Sequence, residues 1–283
     1  IDMNTFIAVS AISMLTGTML LMWIGEQITQ KGIGNGISLI IFAGIVSAIP
    51  HAIGGTIELV NNGQMNFLVV IAILVIIVLT VGAIIYVELG ERRIPVSYSR
   101  KVMIQNQKKR VMNYIPIKVN LSGVIPAIFA SAILMFPTTI LQGTQNKYLL
   151  VVADYLNPSS YTFNLFMFLF VLFFAFFYAS ITFNAKDISE NLKKQGGFIP
   201  GVRPGASTAE FLNEVASRLT FWGAIYMGLI STLPWLVVKA MGVPFYFGGV
   251  SVLIVVQVAI DTMRKIEAQQ YMNKYETLSA VGL

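Results

Sequence analysis

Apolar runs separated by short polar breaks recur along the whole chain. Seven of them, residues 5–24, 37–53, 67–87, 121–141, 163–183, 219–238 and 245–260, approach or exceed the length that crosses a membrane. A hydrocarbon core about 30 Å thick needs about 20 residues of helix, so the second and last runs are short for a full crossing. The runs are continuous rather than alternating, and lipid leaves no backbone group unpaired, so they predict helices and not barrel strands. The expected fold is an all-α polytopic membrane bundle with seven transmembrane helices. Gly32 to Gly36 predicts a flexible turn before the second helix, while Pro50, Pro126, Pro137 and Pro234 predict bends inside the second, fourth and sixth.

Composition agrees with lipid as the solvent: 56% of the 283 residues are hydrophobic and 11% charged, against about a quarter charged in soluble domains. Seventeen of the 19 basic residues fall on one side of the predicted spans, leaving Lys147 and Lys239 on the other. The positive-inside rule then places loops 88–120 and 185–218 and the C-terminal tail in the cytoplasm and Ile1 outside. The N-terminus has no initiating Met, basic n-region or cleavage site, and the expectation is a chain that begins mid-protein.

Candidate chemistry is sparse. There is no cysteine, and the one histidine, His51, lies beside Pro50 at the outer end of the second run, where an interfacial polar residue is the ordinary reading. No Asp, Glu, Lys or Arg lies inside the seven runs, whereas coupled carriers and pumps place such groups at membrane depth. Glu26, Asp187 and Asp261 sit at span ends, where pairing with local Lys or Arg is expected. No nucleotide, hydrolase or zinc motif is present, so no catalytic residue, metal or cofactor is expected. An apolar interior suits a passage that seals by hydrophobic contact.

The basic loops carry the remaining signal. Arg92, Arg93, Arg100, Lys101, Lys108, Lys109 and Arg110 occupy the first, and they suit anionic lipids, acidic protein or RNA phosphates. In the second, Gly and Pro from Gly196 to Gly205 predict a turn-shaped projection with Arg203 near its tip and Lys193 and Lys194 at its base. On composition alone these charges have topological anchoring as their ordinary explanation, with partner docking as the sharper one.

The runs LLMWIGEQIT (20–29), GIGNGISLIIFAGIV (32–46), KVNLSGVIPAIFAS (118–131), NLKKQGGFIPGVRPG (191–205) and VPFYFGG (243–249) resemble the bacterial-type SecY family of protein-conducting channels. The resemblance implies helices four to ten of a ten-helix fold built from inverted halves, with residues 1–60 ending the N-terminal half and 61–283 forming the C-terminal half. The first three helices, with the plug and one gate wall, are then expected from outside this sequence. It further implies a pore ring containing Ile41, Ile45, Ile128 and Ile254, and a lateral gate along the fourth and fifth runs that includes Ser131 and Phe136. The basic loops become a docking surface for the SecA ATPase or the ribosome. SecE and SecG subunits, a signal peptide or nascent polypeptide, and anionic lipids are the other implied partners, in a bacterial inner membrane. A secondary transporter, a docking scaffold and a membrane enzyme are the alternative classes, with the spans' lack of acidic and basic groups against the first and the lack of an acid–base pair against the last.

Overall fold

The computed structural model describes residues 2–32, 34–63, 65–98, 113–142, 153–241 and 249–280. Seven long helices match the seven apolar runs: α1 (Met3–Lys31), α2 (Gly36–Asn61), α3 (Phe67–Glu88), α4 (Ile125–Gln142), α5 (Tyr161–Thr182), α7 (Ala206–Met241) and α8 (Gly249–Ala280). A short helix, α6 (Ala185–Lys194), and three strands, β1 (Glu91–Tyr98), β2 (Asn113–Lys118) and β3 (Gly197–Phe198), fill the two basic loops. Among the described residues, five helices are long and apolar enough to cross a membrane, and Ile125–Leu141 is a shorter apolar one. The chain divides into two compact units, residues 1–72 with 254–283, and residues 73–253.

In the first unit, α1 meets α2 at a contact of two glycines. Any Cβ on Gly36 would overlap the carbonyl oxygen of Gly25, so only glycine permits this approach. Thr29 relays the contact: its hydroxyl accepts from the Gly36 N–H at 2.8 Å and donates to the Gly25 carbonyl at 2.8 Å. Asn35 then caps α2, its Oδ1 accepting from the N–H groups of Ile37 and Ser38 at 3.1 and 3.3 Å, which satisfies donors that no preceding turn can reach. The flexible turn expected at residues 32–36 is therefore a built junction.

The second unit is organised on α7. Phe163, Met167, Val171, Ala175 and Ala179 recur every fourth residue on α5 and are all buried, a ridge of the kind that seats in the groove of a facing helix. Gly228 of α7 receives the Phe168 ring, and Gly223 lets the Val119 carbonyl approach so closely that a Cβ would stand 2.8 Å from it. Rings of Phe129 and Phe174, 5.9 Å apart, join α4 to α5. At the far end of α7, Trp235 Nε1 donates to the Ser159 carbonyl at 3.0 Å, and Lys239 sits 3.3 Å from the centre of the Tyr161 ring.

The prolines behave differently from one another. Pro50, Pro137 and Pro234 lie inside helices. Pro126, expected to bend the fourth span, is instead the second residue of α4, where a missing N–H costs nothing. The helix starts at Ile125 rather than near residue 121 because Gly123 adopts φ +65° and Asn120 holds the preceding turn. Pro234 withholds the donor that would meet the Ile230 carbonyl, and Gly249 at the start of α8 packs against that oxygen and the Ser231 oxygen.

The loops add a sheet that the helix pattern did not foreshadow. Its order is β2-β1-β3, with β1 antiparallel to both neighbours: Ile94 faces Ile115, and Tyr98 faces Gly197. Ile94, Val96, Ile117, Leu192, Ile199 and Leu212 form its core with α6 and the start of α7.

Replacing Gly36 with Ala is expected to destabilise the first unit by about 1–3 kcal/mol, the usual cost of overpacking. Thermal unfolding of the detergent-solubilised protein measures this, and an unchanged midpoint would mean that the glycine contact is not needed.

Candidate functional site

The cap of sheet and α6 brings together the basic residues of two loops that are far apart in sequence. Arg92 and Arg93 are exposed on β1; the Arg93 guanidinium lies 4.9 Å from the centre of the Tyr114 ring and its Nε 4.0 Å from Glu91 Oε2. β3 binds the end of β1, so the second loop is fastened to the first. Lys193 and Lys194 are exposed in the last turn of α6, where cations complement the helix dipole. Arg203 is exposed in the turn before α7, its carbonyl accepting from Thr208 Oγ1 at 2.8 Å. Ser189 Oγ donates to the Gly205 carbonyl at 2.7 Å, and Gly196, Gly201 and Gly205 supply the positive φ angles of the turns. The projection is thus a fixed shape with its cations outward. Arg100, Lys101, Lys108, Lys109 and Arg110 lie outside the described residues.

Beneath the cap is a buried polar cluster that composition did not single out. Glu88, the last residue of α3, is 4% exposed and Asn120 3% exposed. Asn120 Nδ2 donates to Glu88 Oε1 at 2.6 Å, and Asn120 Oδ1 accepts from the Gly123 N–H at 3.1 Å and from Ser122 Oγ at 3.4 Å. One amide therefore pins the end of α3 and the start of α4 together. The Tyr226 hydroxyl on α7 is buried and finds no hydrogen-bond partner among the described residues. The signal for the cluster was slight: Glu88 is a carboxyl abutting an apolar run, followed by Asn120 where the polar segment ends.

Of the residues assigned to a pore ring, Ile41 and Ile45 occupy one face of α2, Ile128 is half-buried on α4, and Ile254 is buried on α8. Ile41, Ile45 and Ile254 belong to the first unit and Ile128 to the second. On α4, Ser131 Oγ donates to the Ile128 carbonyl at 2.9 Å, and Phe136 is exposed. At the span ends, Glu26 Oε1 accepts from Gln30 Nε2 and Asp187 Oδ2 from Asn184 Nδ2; side-chain amides stand there where Lys or Arg was expected. His51 is exposed on α2, and among the described residues no cluster of His, Asp or Glu has the makings of a metal site.

Apolar helices bearing a folded basic cap define a multi-pass membrane protein. The chain belongs to the SecY family, whose model matches residues 2–263. It is 70% identical over 283 residues to the protein translocase subunit SecY of Helicobacter pylori (strain ATCC 700392 / 26695), covering 100% of this chain and 67% of that protein. Against the same subunit of Escherichia coli (strain K12) it is 44% identical over 276 residues, covering 96% of this chain and 62% of that protein. The fold matches a SecY structure in which the plug domain stabilises the closed state of the translocation channel, with a TM-score of 0.65, 20% identity, and coverage of 90% of this chain and 64% of that one. It also matches the structure of a protein-conducting channel, with a TM-score of 0.63, 18% identity, and coverage of 90% and 63%. The chain spans about two thirds of the length of these relatives.

If Asn120 is the pin between α3 and α4, Asn120→Leu removes its bonds to Glu88 and to the Gly123 N–H together and costs about 1–3 kcal/mol. Because the two side chains share a hydrogen bond, Glu88→Leu/Asn120→Leu should lose less than the sum of the two single variants. Thermal melts of Glu88→Leu, Asn120→Leu and the double variant test it, and additive losses would contradict the coupling.

Proposed function

We propose that this chain forms helices four to ten of a protein-conducting channel, which moves unfolded polypeptides across the bacterial plasma membrane and releases membrane segments into the lipid. The observation that carries the reading is the match to the SecY family along nearly the whole chain. In this reading residues 1–60 close the N-terminal half and residues 61–283 form the C-terminal half, with the cap and the tail in the cytoplasm. The chain does no bond chemistry of its own; the work comes from a partner or from the membrane potential.

The assigned ring residues are uncharged and aliphatic, as a hydrophobic seal requires: side chains of this kind close on a passing polypeptide and leave no continuous column of water for ions. The helices of the lateral gate on this side are α4 and α5, with Ser131 and Phe136 on the former. Docking of the SecA motor or the ribosome falls to the cap. Arg203, with Arg92, Arg93, Lys193 and Lys194, is exposed on a folded support, so little ordering entropy is lost on binding. Arg100, Lys101, Lys108, Lys109 and Arg110 extend that surface in sequence. SecE and SecG subunits and anionic lipids complete the proposed surroundings.

The test is photo-crosslinking from positions 41, 128 and 254 to a secretory polypeptide stalled in a complete channel carrying this chain. All three should crosslink; silence from all three in an engaged complex would defeat the pore assignment. Separately, Arg203→Glu is expected to slow motor- or ribosome-driven translocation about tenfold, equivalent to roughly 1.4 kcal/mol of lost docking, with membrane insertion of the chain unchanged. A normal translocation rate would remove Arg203 from the docking surface.

A further inference from the structure

Between α5 and α7, near the end that carries the cap, lies an open cavity of about 220 Å³ that the channel reading does not use. Its two walls differ. Phe176 and Ala179 of α5 and Phe183 just beyond its end, with Leu121, give an apolar side, whereas Asn213, Ser217 and Thr220 of α7 give a polar one at i, i+4 and i+7. Among the described residues none of these three side chains has a hydrogen-bond partner, although Thr220 is only 4% exposed.

Several helical hydroxyls elsewhere return to a carbonyl of the preceding turn: Thr16, Thr29, Thr80, Ser131, Ser231 and Thr262 all do so at 2.7–2.9 Å. Ser180, on the rim of the same cavity, does so too. Ser217 and Thr220 make no such return bond: Ser217 is exposed, and the Thr220 hydroxyl keeps an accessible face in a residue that is otherwise buried, so both donors stand open to a ligand.

The position identifies the ligand. The cavity lies where α5 ends at Thr182 and the polar segment beginning at Asn184 takes over, the depth at which a bilayer passes from hydrocarbon to headgroup. Its mouth adjoins the exposed apolar face of α5, where Phe173, Phe177 and Ile181 are 53–63% exposed. No charged side chain lines it. Uncharged donors beside an apolar wall at this depth match the ester carbonyls and first methylenes of a membrane phospholipid, and a phosphate would lack a counter-charge. We propose that the cavity between α5 and α7 is a phospholipid site, with the glycerol-ester region hydrogen-bonded by Asn213, Ser217 and Thr220 and an acyl chain leaving along α5. The inference rests on the membrane-spanning reading and not on the pore assignment.

The test uses the complete channel complex in vesicles of phosphatidylethanolamine and phosphatidylglycerol, with a photoactivatable phosphatidylethanolamine bearing its reactive group beside the ester. Peptides spanning residues 176–183 and 213–220 should be labelled, and excess unlabelled phosphatidylethanolamine should compete. Ser217→Ala/Thr220→Val keeps the shape while removing the hydroxyls, and should lower labelling roughly five- to hundredfold, the worth of two hydrogen bonds. Ser217→Trp, at an exposed position, should block the mouth and abolish labelling without disturbing the core. Equal labelling of parent and both variants, no labelling of the parent, or competition by a stalled polypeptide instead of by lipid would each overturn the proposal.

Discussion

The constraint on which the rest depends is that lipid offers no hydrogen bonds. Each backbone group inside the bilayer must find its partner within the protein, and the helices meet this along their lengths. The informative places are those where the helix alone fails. At Pro234 the ladder loses a donor, and Gly249 lies directly against the Ile230 and Ser231 carbonyls there. Where α1 reaches α2, Thr29 passes a hydrogen bond from one backbone to the other. Where α3 stops and α4 starts, the Asn120 amide serves the turn and Glu88 together.

The same constraint explains why the cap can be irregular. Outside the apolar runs, water satisfies exposed backbone, and a two-residue strand is then enough to fasten one loop to another. The small apolar core of Ile94, Val96, Ile117, Leu192, Ile199 and Leu212 supplies the cohesion, so the exposed arginines and lysines stand on a surface held from below. Because α6 and the start of α7 contribute to that core, a load on the cap passes into α7 directly.

The helices were legible because each is written locally: twenty apolar residues in succession carry their own instruction. Positive φ at Gly196, Gly201 and Gly205 was likewise legible as dense turn punctuation. What sequence did not disclose depends on residues far apart. Pairing of Tyr98 with Gly197 joins positions about a hundred residues apart, and nothing in either stretch announces the other. Glu88 and Asn120 are single polar residues beside apolar runs, indistinguishable in sequence from those that face solvent; only the fold shows that they bury each other. Pro126 misled for the same reason, since whether a proline bends a helix or begins one depends on where the preceding turn, set by Asn120 and Gly123, releases the chain. The candidate pore and gate residues came from resemblance, because isoleucines at membrane depth look alike whether they face lipid, a neighbour or a passage.

Packing in the second unit also bears on how a gate wall made of α4 and α5 would move. α5 is tied to α7 near its start and in its middle: by Trp235 and Lys239 against Ser159 and Tyr161, and by Phe168 set against Gly228. α4 is tied to α5 through the Phe129 and Phe174 rings and to the base of the cap through Asn120. Close-packed contacts of this kind resist gradual shear and favour motion as a block. On the proposed gate assignment, opening on this side would displace α4, α5 and α7 together with the cap, and a partner docked on the cap would act on the gate wall through these packed helices.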